Sequence, residues 1–184
     1  MIKSIDTRYK NHLFRSRLEA RYAVLFDALN IKWLYEHEGF ELGGTERYLP
    51  DFYLPHYDLY AEVKPKSFSF KEHSKCKRLA LLTTSEVIEL VGLPSFEPIT
   101  VITPSKHYIC PIYGQEWVYK DPRSLICKCG VKHRVFNTIN ESQGIFLFEK
   151  YKAISYDMQK NGNQRIEKAI RLATEARFEF NNKL

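Results

Sequence analysis

Two short segments rich in aromatic and branched residues follow one another closely, at residues 48–54 and 58–63. Segments of this composition are typical of β-strands. Residues 55–58 between them begin with proline and end with aspartate, which favours a reversal of the chain. The sequence therefore predicts a β-hairpin, and a hairpin sets which side chains of its two strands face each other.

A turn centred between His56 and Tyr57 places Asp51 directly opposite Glu62, and Lys64 shares their face because strand side chains alternate. Two facing carboxylates, with Cβ atoms ~5 Å apart, repel each other and destabilise a bare sheet. A divalent cation bound between the two carboxylates turns this net repulsion into a net attraction. Carboxylate oxygens suit Mg²⁺ or Mn²⁺, and Lys64 is placed to orient or deprotonate an attacking water.

A simpler interpretation is a surface hairpin whose charges face solvent, since an aspartate followed by Glu-x-Lys occurs often by chance. The surroundings argue against it. Both segments have strand composition, the loop is short, and bulky residues crowd the strands at Leu49, Tyr53 and Tyr60. An apolar helix carrying Glu19 also precedes them, so the sequence favours a site over a solvated face.

Apolar residues at helical spacing predict this first helix, with a buried face made of Phe14, Leu18, Tyr22, Leu25, Phe26 and Leu29. Glu19 lies on the flank of that face, where two roles are open. Ser16 and Glu19 have the spacing of a capping box, in which Glu19 bonds back to the Ser16 amide. The flank position also permits Glu19 to contact a metal ion.

The motifs Pro50-Asp51 and Glu62-Val63-Lys64 resemble those of the PD-(D/E)XK nuclease superfamily, and the chain looks like a small phage or bacterial endonuclease of that kind. The resemblance implies an α/β fold with a restriction-endonuclease-like core. In that core the elements follow the order α-β-β-β-α-β, and helices flank a mixed sheet. Residues 14–104 contain the segments for this order.

The resemblance also implies roles for individual residues. Asp51 and Glu62 bind Mg²⁺ or Mn²⁺, with the backbone carbonyl of Val63 as a further ligand, and Lys64 assists the nucleophilic water. Glu19 matches the acidic residue that many members place on the first helix, where it takes part in catalysis and metal binding.

The rest of the core is predicted as a helix at residues 70–82 and a fourth strand at 98–103 that Pro104 ends. Beyond it, the chain is aromatic and turn-rich. We expect three parts: a nuclease core with a basic N-terminal arm (1–104), a β-rich appendage or sheet extension (105–148) and a basic C-terminal helix on the core (149–184). The expected short strands are 107–110, 117–119 and 145–148, and Asn163 is expected to cap a helix at 164–178, with Ile166, Ile170 and Ala173 facing the protein.

A net charge of +6 and a pI near 9.0 favour a polyanionic partner such as DNA. The charge clusters after the motif, and the candidate DNA-binding residues are Lys66, Lys71, Lys75 and Arg78. Three of them form one stripe of the predicted helix, which suits a phosphate backbone. An ordinary solvated helix face explains the same stripe.

Four residues could bind a structural Zn²⁺ ion: Cys110, Cys127, Cys129 and His133. Zinc ribbons use paired Cys-x-x-Cys motifs, whereas Cys127 and Cys129 are separated by one residue and Cys110 is isolated. Reduced, partly buried thiols are therefore favoured over zinc.

Together these features predict a Mg²⁺-dependent DNA endonuclease that acts as a homodimer or within a larger complex. The alternative is a non-catalytic or partner-dependent DNA-binding subunit of a recombination or transposition assembly. No apolar run is long enough for a membrane span and the N-terminus lacks a secretory pattern, so we expect a cytoplasmic protein, at the nucleoid of a bacterial or phage-infected cell. The sequence leaves open the target, DNA versus RNA, and one metal ion versus two.

Overall fold

A computed structural model describes residues 4–97, 99–109, 116–119, 134–144 and 158–178. The elements in these ranges, in chain order, are β1 Thr7–Tyr9, β2 His12–Phe14, α1 Arg17–Ala28, β3 Leu34–Tyr35, β4 Phe40–Glu41, β5 Arg47–Tyr48, β6 Phe52–Leu54, β7 Leu59–Lys64, α2 Phe70–Thr83, β8 Glu86–Val91, β9 Ile99–Ile109, β10 Glu116–Tyr119, β11 Arg134–Gly144 and α3 Met158–Glu175.

Five strands form the central sheet in the order β9-β8-β7-β6-β3. The β7–β8 pair is parallel and the others are antiparallel. β10 and β11 both pair with β9 and extend the sheet, whereas β1–β2 and β4–β5 are separate two-stranded hairpins. The protein is therefore a mixed α/β structure.

Both faces of the central sheet are buried, as the alternation along β7 shows. Leu59, Ala61 and Val63 pack in one cluster with the apolar face of α1, and Tyr60 packs in a second cluster with α2. Side chains of a strand point alternately to opposite faces. Helices α1 and α2 thus cover opposite faces, and Glu62 and Lys64 belong to the α2 side.

The two helices begin as the sequence predicts. Ser16 caps α1, and Ser69 caps α2 through a reciprocal capping box with Glu72. Most of the predicted apolar face of α1 is buried, although Leu18 is only partly buried and Phe14 belongs to β2. Local capping signals thus set where these helices start.

The predicted strand at residues 48–54 is wrong in one respect, because it is divided into β5 and β6. Pro50 lies in the interruption, and a proline cannot donate a backbone hydrogen bond to a neighbouring strand. A 3₁₀ turn, Pro55–Tyr57, then reverses the chain, and Asp58 adopts a left-handed conformation with φ of 47°. Asp51 consequently lies in a bend just before β6.

The strand predicted at 98–103 is present in the central sheet as the first part of β9, but its assignment as the fourth core strand is wrong. The strand after α2 is β8, which pairs in parallel with β7, and β9 follows as a further antiparallel strand. Apart from its two glutamates, β8 consists of branched apolar residues, as is typical of a strand buried on both faces. Such a short apolar run lacks the alternation of polar and apolar residues by which the other strands were predicted.

Pro104 does not end β9, which continues to Ile109. On one edge of β9, Pro104 lies in the gap between Ile102, paired with β8, and Lys106, paired with β10, so neither of those strands requires an N–H group from it. On the other edge, β11 pairs with β9 along its whole length, with Ile139 opposite Pro104. Of the predicted appendage strands, 117–119 lies in β10 and 107–109 in β9, while Cys110 and residues 145–148 lie outside the described residues. The polar strand β11 was not predicted.

Helix α3 begins at Met158, so the prediction that Asn163 caps it is wrong. Met158, Gln159 and Lys160 are good helix formers, so the helix starts before the candidate cap even though Asn161 and Gly162, which follow them, are poor helix formers. Ile166 and Ala173 are buried as predicted, and Ile170 is partly buried. Arg21 of α1 donates a hydrogen bond of 2.8 Å to the carbonyl of Ala173, so α3 packs on α1.

Candidate active site

The predicted register of the β6–β7 hairpin is confirmed, since it pairs Phe52 with Ala61, Tyr53 with Tyr60 and Leu54 with Leu59. One step further, the same register sets Asp51 opposite Glu62. The amide of Asp51 donates a hydrogen bond of 3.4 Å to Oε2 of Glu62. The two acids therefore meet where β6 begins, beside the second half of β7.

Asp51 is almost fully buried, with 4% of its surface exposed. Its Oδ2 accepts a hydrogen bond of 2.8 Å from the Val63 amide, which fixes the side chain against β7. Burial, followed by repulsion from Glu62 and then from Glu19, raises the pKa of Asp51 to about 8. The negative charge of Asp51 is thus disfavoured in the protein alone, and a bound cation would stabilise it.

Glu62 is equally buried and has a partner on each carboxylate oxygen. Lys64 Nζ lies 2.7 Å from Oε1, and the hydroxyl of Tyr48 donates a hydrogen bond of 2.8 Å to Oε2. Burial lowers the pKa of Lys64, but the Glu62 carboxylate outweighs that effect, so the pKa is raised overall. Lys64 therefore remains positively charged beside Glu62.

Glu19 combines features of both roles that its position permits. Ser16 Oγ accepts a hydrogen bond from the Glu19 amide, and the Glu19 carboxylate accepts one from the Arg15 amide rather than from the Ser16 amide. It is therefore part of the helix cap. The Glu19 charge also acts on Asp51, so the same carboxylate contributes to the electrostatics of the site.

Two tyrosines that no sequence motif indicated hold the acids in place. Tyr48 donates to Glu62, and the hydroxyl of Tyr35 donates to Glu19 Oε2 at 2.5 Å. Such partners orient ligands and are part of a working metal site. Nothing in the local sequence distinguishes these tyrosines from core aromatics, because their partners lie 14 and 16 residues away.

A further acid, Glu89, is Glu62's neighbour in the parallel β7–β8 ladder. It is buried, and its Oε1 lies 2.6 Å from Nδ1 of His73 on α2. Its place beside Glu62 depends on the crossover through α2, which the sequence analysis did not resolve.

The four candidate DNA-binding cations fall into two groups. Lys66 and Lys71 are exposed. Lys75 Nζ lies 3.3 Å from Glu46 Oε1, and Arg78 is ion-paired with Glu46 as well. The two exposed lysines are therefore better placed for an external phosphate than the two cations that share Glu46.

The candidate zinc ligands Cys110, Cys127, Cys129 and His133 lie outside the described residues. Within the described ranges, no three His, Cys, Asp or Glu side chains come together as a metal-binding group. Asp51 and Glu62 are a pair of oxygen donors, which suit a hard divalent ion if a backbone carbonyl or water completes the set.

No protein-family model matches the chain, and neither a curated protein nor a solved structure is similar to it at a significant level. In the described part of the chain, none of the helices has the length and apolar content needed to cross a membrane.

Proposed function

We propose that the protein is a Mg²⁺-dependent DNA endonuclease. The observation that carries this proposal is the buried, facing pair Asp51 and Glu62 with Lys64 bound to the latter. Like-charged buried carboxylates destabilise a protein unless a cation joins them. An arrangement that is unfavourable for the fold alone is typical of a functional site.

The order of elements gives independent support. Helix α1, strands β3, β6 and β7, helix α2 and strand β8 follow one another, with the β4–β5 hairpin inserted after β3. This is the α-β-β-β-α-β order that the resemblance to PD-(D/E)XK nucleases implies. The parallel β7–β8 pair makes the sheet mixed, as that resemblance also implies.

The donor set fits Mg²⁺ or Mn²⁺, with Asp51, Glu62 and the Val63 carbonyl as ligands. A divalent ion held there would lower the pKa of a bound water and stabilise charge on the scissile phosphate. The protein's own groups prepare the site. The Val63 amide and Tyr48 hydroxyl fix the two carboxylates, while Lys64 holds a positive charge and orients the nucleophile.

The test is cleavage of supercoiled, linear, single-stranded and branched DNA in Mg²⁺ or Mn²⁺, with EDTA as the metal-free control. Asp51→Asn should lose cleavage, because a neutral amide is a poor metal ligand. Lys64→Ala should lose about 10²–10⁴-fold in rate. Lys32→Ala, which removes an exposed lysine, is the matched control and should cut like the parent.

Two outcomes would contradict the proposal. If Asp51→Asn cuts as well as the parent, the metal assignment is wrong. If folded parent protein binds DNA but does not cut any substrate with either metal, the function becomes that of a DNA-binding subunit, and adding partner proteins would then test whether cleavage depends on an assembly.

A further inference from the structure

Arg15 is the one residue, among the contacts described, that links Glu19, Asp51 and Glu36. Its amide donates hydrogen bonds to Glu19 Oε2 at 3.2 Å and to the hydroxyl of Tyr35 at 3.1 Å. Its guanidinium forms an ion pair with Glu36 and lies 3.5 Å from Oδ1 of Asp51. The backbone of Arg15 is thus anchored at the cap of α1 while its cationic end reaches the acids.

The contact between Arg15 and Asp51 is long and open to solvent on one side. The Arg15 side chain is 58% exposed, whereas Asp51 is buried. By comparison, Lys64 lies 2.7 Å from Glu62 and is 28% exposed. Exposed ion pairs contribute little stability because water competes with them. Arg15 is therefore a weakly held counter-ion of Asp51.

Glu36 keeps Arg15 near the site even without Asp51. The Glu36 amide donates a hydrogen bond of 3.0 Å to the carbonyl of Asp51, so Glu36 is tied to the same bend of the chain. An arginine released from Asp51 thus stays next to it, with part of its guanidinium facing solvent.

We propose that Arg15 is the phosphate-binding residue of this site and that Asp51 holds it until a divalent ion binds there. The inference rests on the proposed function and adds the group that receives the substrate. A divalent ion satisfies Asp51 better than one exposed guanidinium does, so Arg15 leaves it. The planar guanidinium then donates two parallel hydrogen bonds to phosphate oxygens of the DNA, a geometry that a lysine cannot form.

The first measurement is the affinity for Mn²⁺ without DNA. The electron paramagnetic resonance signal of the free ion reports how much Mn²⁺ is bound. Arg15→Ala should bind Mn²⁺ about twofold to fivefold more tightly than the parent, because the ion no longer displaces a cation from Asp51. Arg8→Ala is the matched control, since it removes one exposed arginine of the β1–β2 hairpin. Arg15→Lys should bind Mn²⁺ nearly as the parent does.

The second measurement is the affinity for a DNA oligonucleotide in Ca²⁺, used as a probe metal, and again in EDTA. Arg15→Ala should weaken binding about tenfold in Ca²⁺ and less than about twofold in EDTA, where Arg15 is engaged by Asp51. Arg15→Lys should show most of the same loss in Ca²⁺, because it keeps the charge but not the planar fork. A role in folding alone would not make the loss depend on metal.

The outcomes separate this inference from the proposed function. If the parent binds Mn²⁺ but Arg15→Ala binds it like Arg8→Ala, or if the DNA affinity falls equally with and without Ca²⁺, the role of Arg15 is refuted while the nuclease assignment stands. If the parent binds no Mn²⁺, both are refuted. Thermal unfolding of each variant checks the fold, and Arg15→Lys carries the test if Arg15→Ala is unfolded.

Discussion

Replacing Asp51 by Asn should stabilise the metal-free protein. Asp51 is buried and faces Glu62, and these two features raise the pKa of its carboxyl to about 8, with Glu19 adding to the effect. The unfolded chain has the ordinary value of about 3.9. Asparagine keeps an oxygen that can accept the Val63 amide hydrogen bond but carries no charge to repel Glu62. The fold would therefore keep the Val63 hydrogen bond and lose the repulsion, and it would give up only the long, exposed ion pair with Arg15, which contributes little stability.

The magnitude follows from proton linkage. A carboxyl whose pKa is higher in the folded state binds its proton more tightly there, so stability falls as the pH rises between about 4 and 8. About three pH units separate the ordinary value from neutral pH, and each corresponds to about 1.4 kcal/mol. The upper limit is thus about 4 kcal/mol at pH 7. Water and side-chain movement screen buried charges, so we expect a gain of about 2 kcal/mol.

The assay is urea denaturation in EDTA near pH 5 and near pH 8. The advantage of Asp51→Asn over the parent should grow with pH, because only the parent carries the Asp51 carboxyl, whose proton the folded protein retains while the unfolded chain loses it. Asp6→Asn, at an exposed aspartate, should behave like the parent at both pH values. The reasoning is refuted if Asp51→Asn is less stable than the parent near pH 8, or if their difference is the same at both pH values.

Three further predictions concern the surroundings of the site. Tyr48→Phe removes the donor to Glu62, so it should lower the free energy of unfolding by about 1–3 kcal/mol in urea denaturation and slow cleavage about 10–100-fold. Lys71→Ala should weaken DNA binding and reduce by about one the slope of log affinity against log salt concentration. Lys75→Ala should have a smaller effect on both, because Lys75 is ion-paired with Glu46. Filter binding across a range of salt concentrations measures the affinity and the slope. Phe52→Ala should lower the free energy of unfolding by about 3–5 kcal/mol, because its fully buried ring packs against several aromatic side chains, and thermal unfolding measures the loss.

Each of these predictions has a contrasting outcome. Tyr53→Phe removes an exposed hydroxyl that bonds Asp58, and a loss of cleavage equal to that of Tyr48→Phe would contradict the role of Tyr48. Equal salt slopes for the two lysine variants would show that the Glu46 ion pair does not withhold Lys75 from DNA. A small effect of Phe52→Ala would mean that the surrounding rings collapse into the cavity.

The local features of the fold could be predicted because neighbouring residues encode them. The strand alternation and the turn at residues 55–58 predicted the β6–β7 register correctly, and the Ser16 cap predicted the start of α1. The start of α2 at Phe70 also agrees with the prediction, and Ser69 caps it. Two local predictions were wrong, namely the cap at Asn163 and the end of a strand at Pro104. Good helix formers at residues 158–160 start α3 before Asn163, and β9 continues through Pro104 because β11 pairs with it along one whole edge while the other edge has, among the described residues, no partner strand at Pro104.

The sequence by itself determined that Asp51, Glu62 and Lys64 share one face of a hairpin, because strand period and turn position are properties of adjacent residues. Only the tertiary structure decided what surrounds them. Tyr48 reaches Glu62, Arg15 reaches Asp51, and Glu89 lies beside Glu62 because separate elements pack together. Contacts of this kind depend on how a helix crosses over a sheet and on how loops close. They therefore cannot be predicted from the spacing of residues within a single segment.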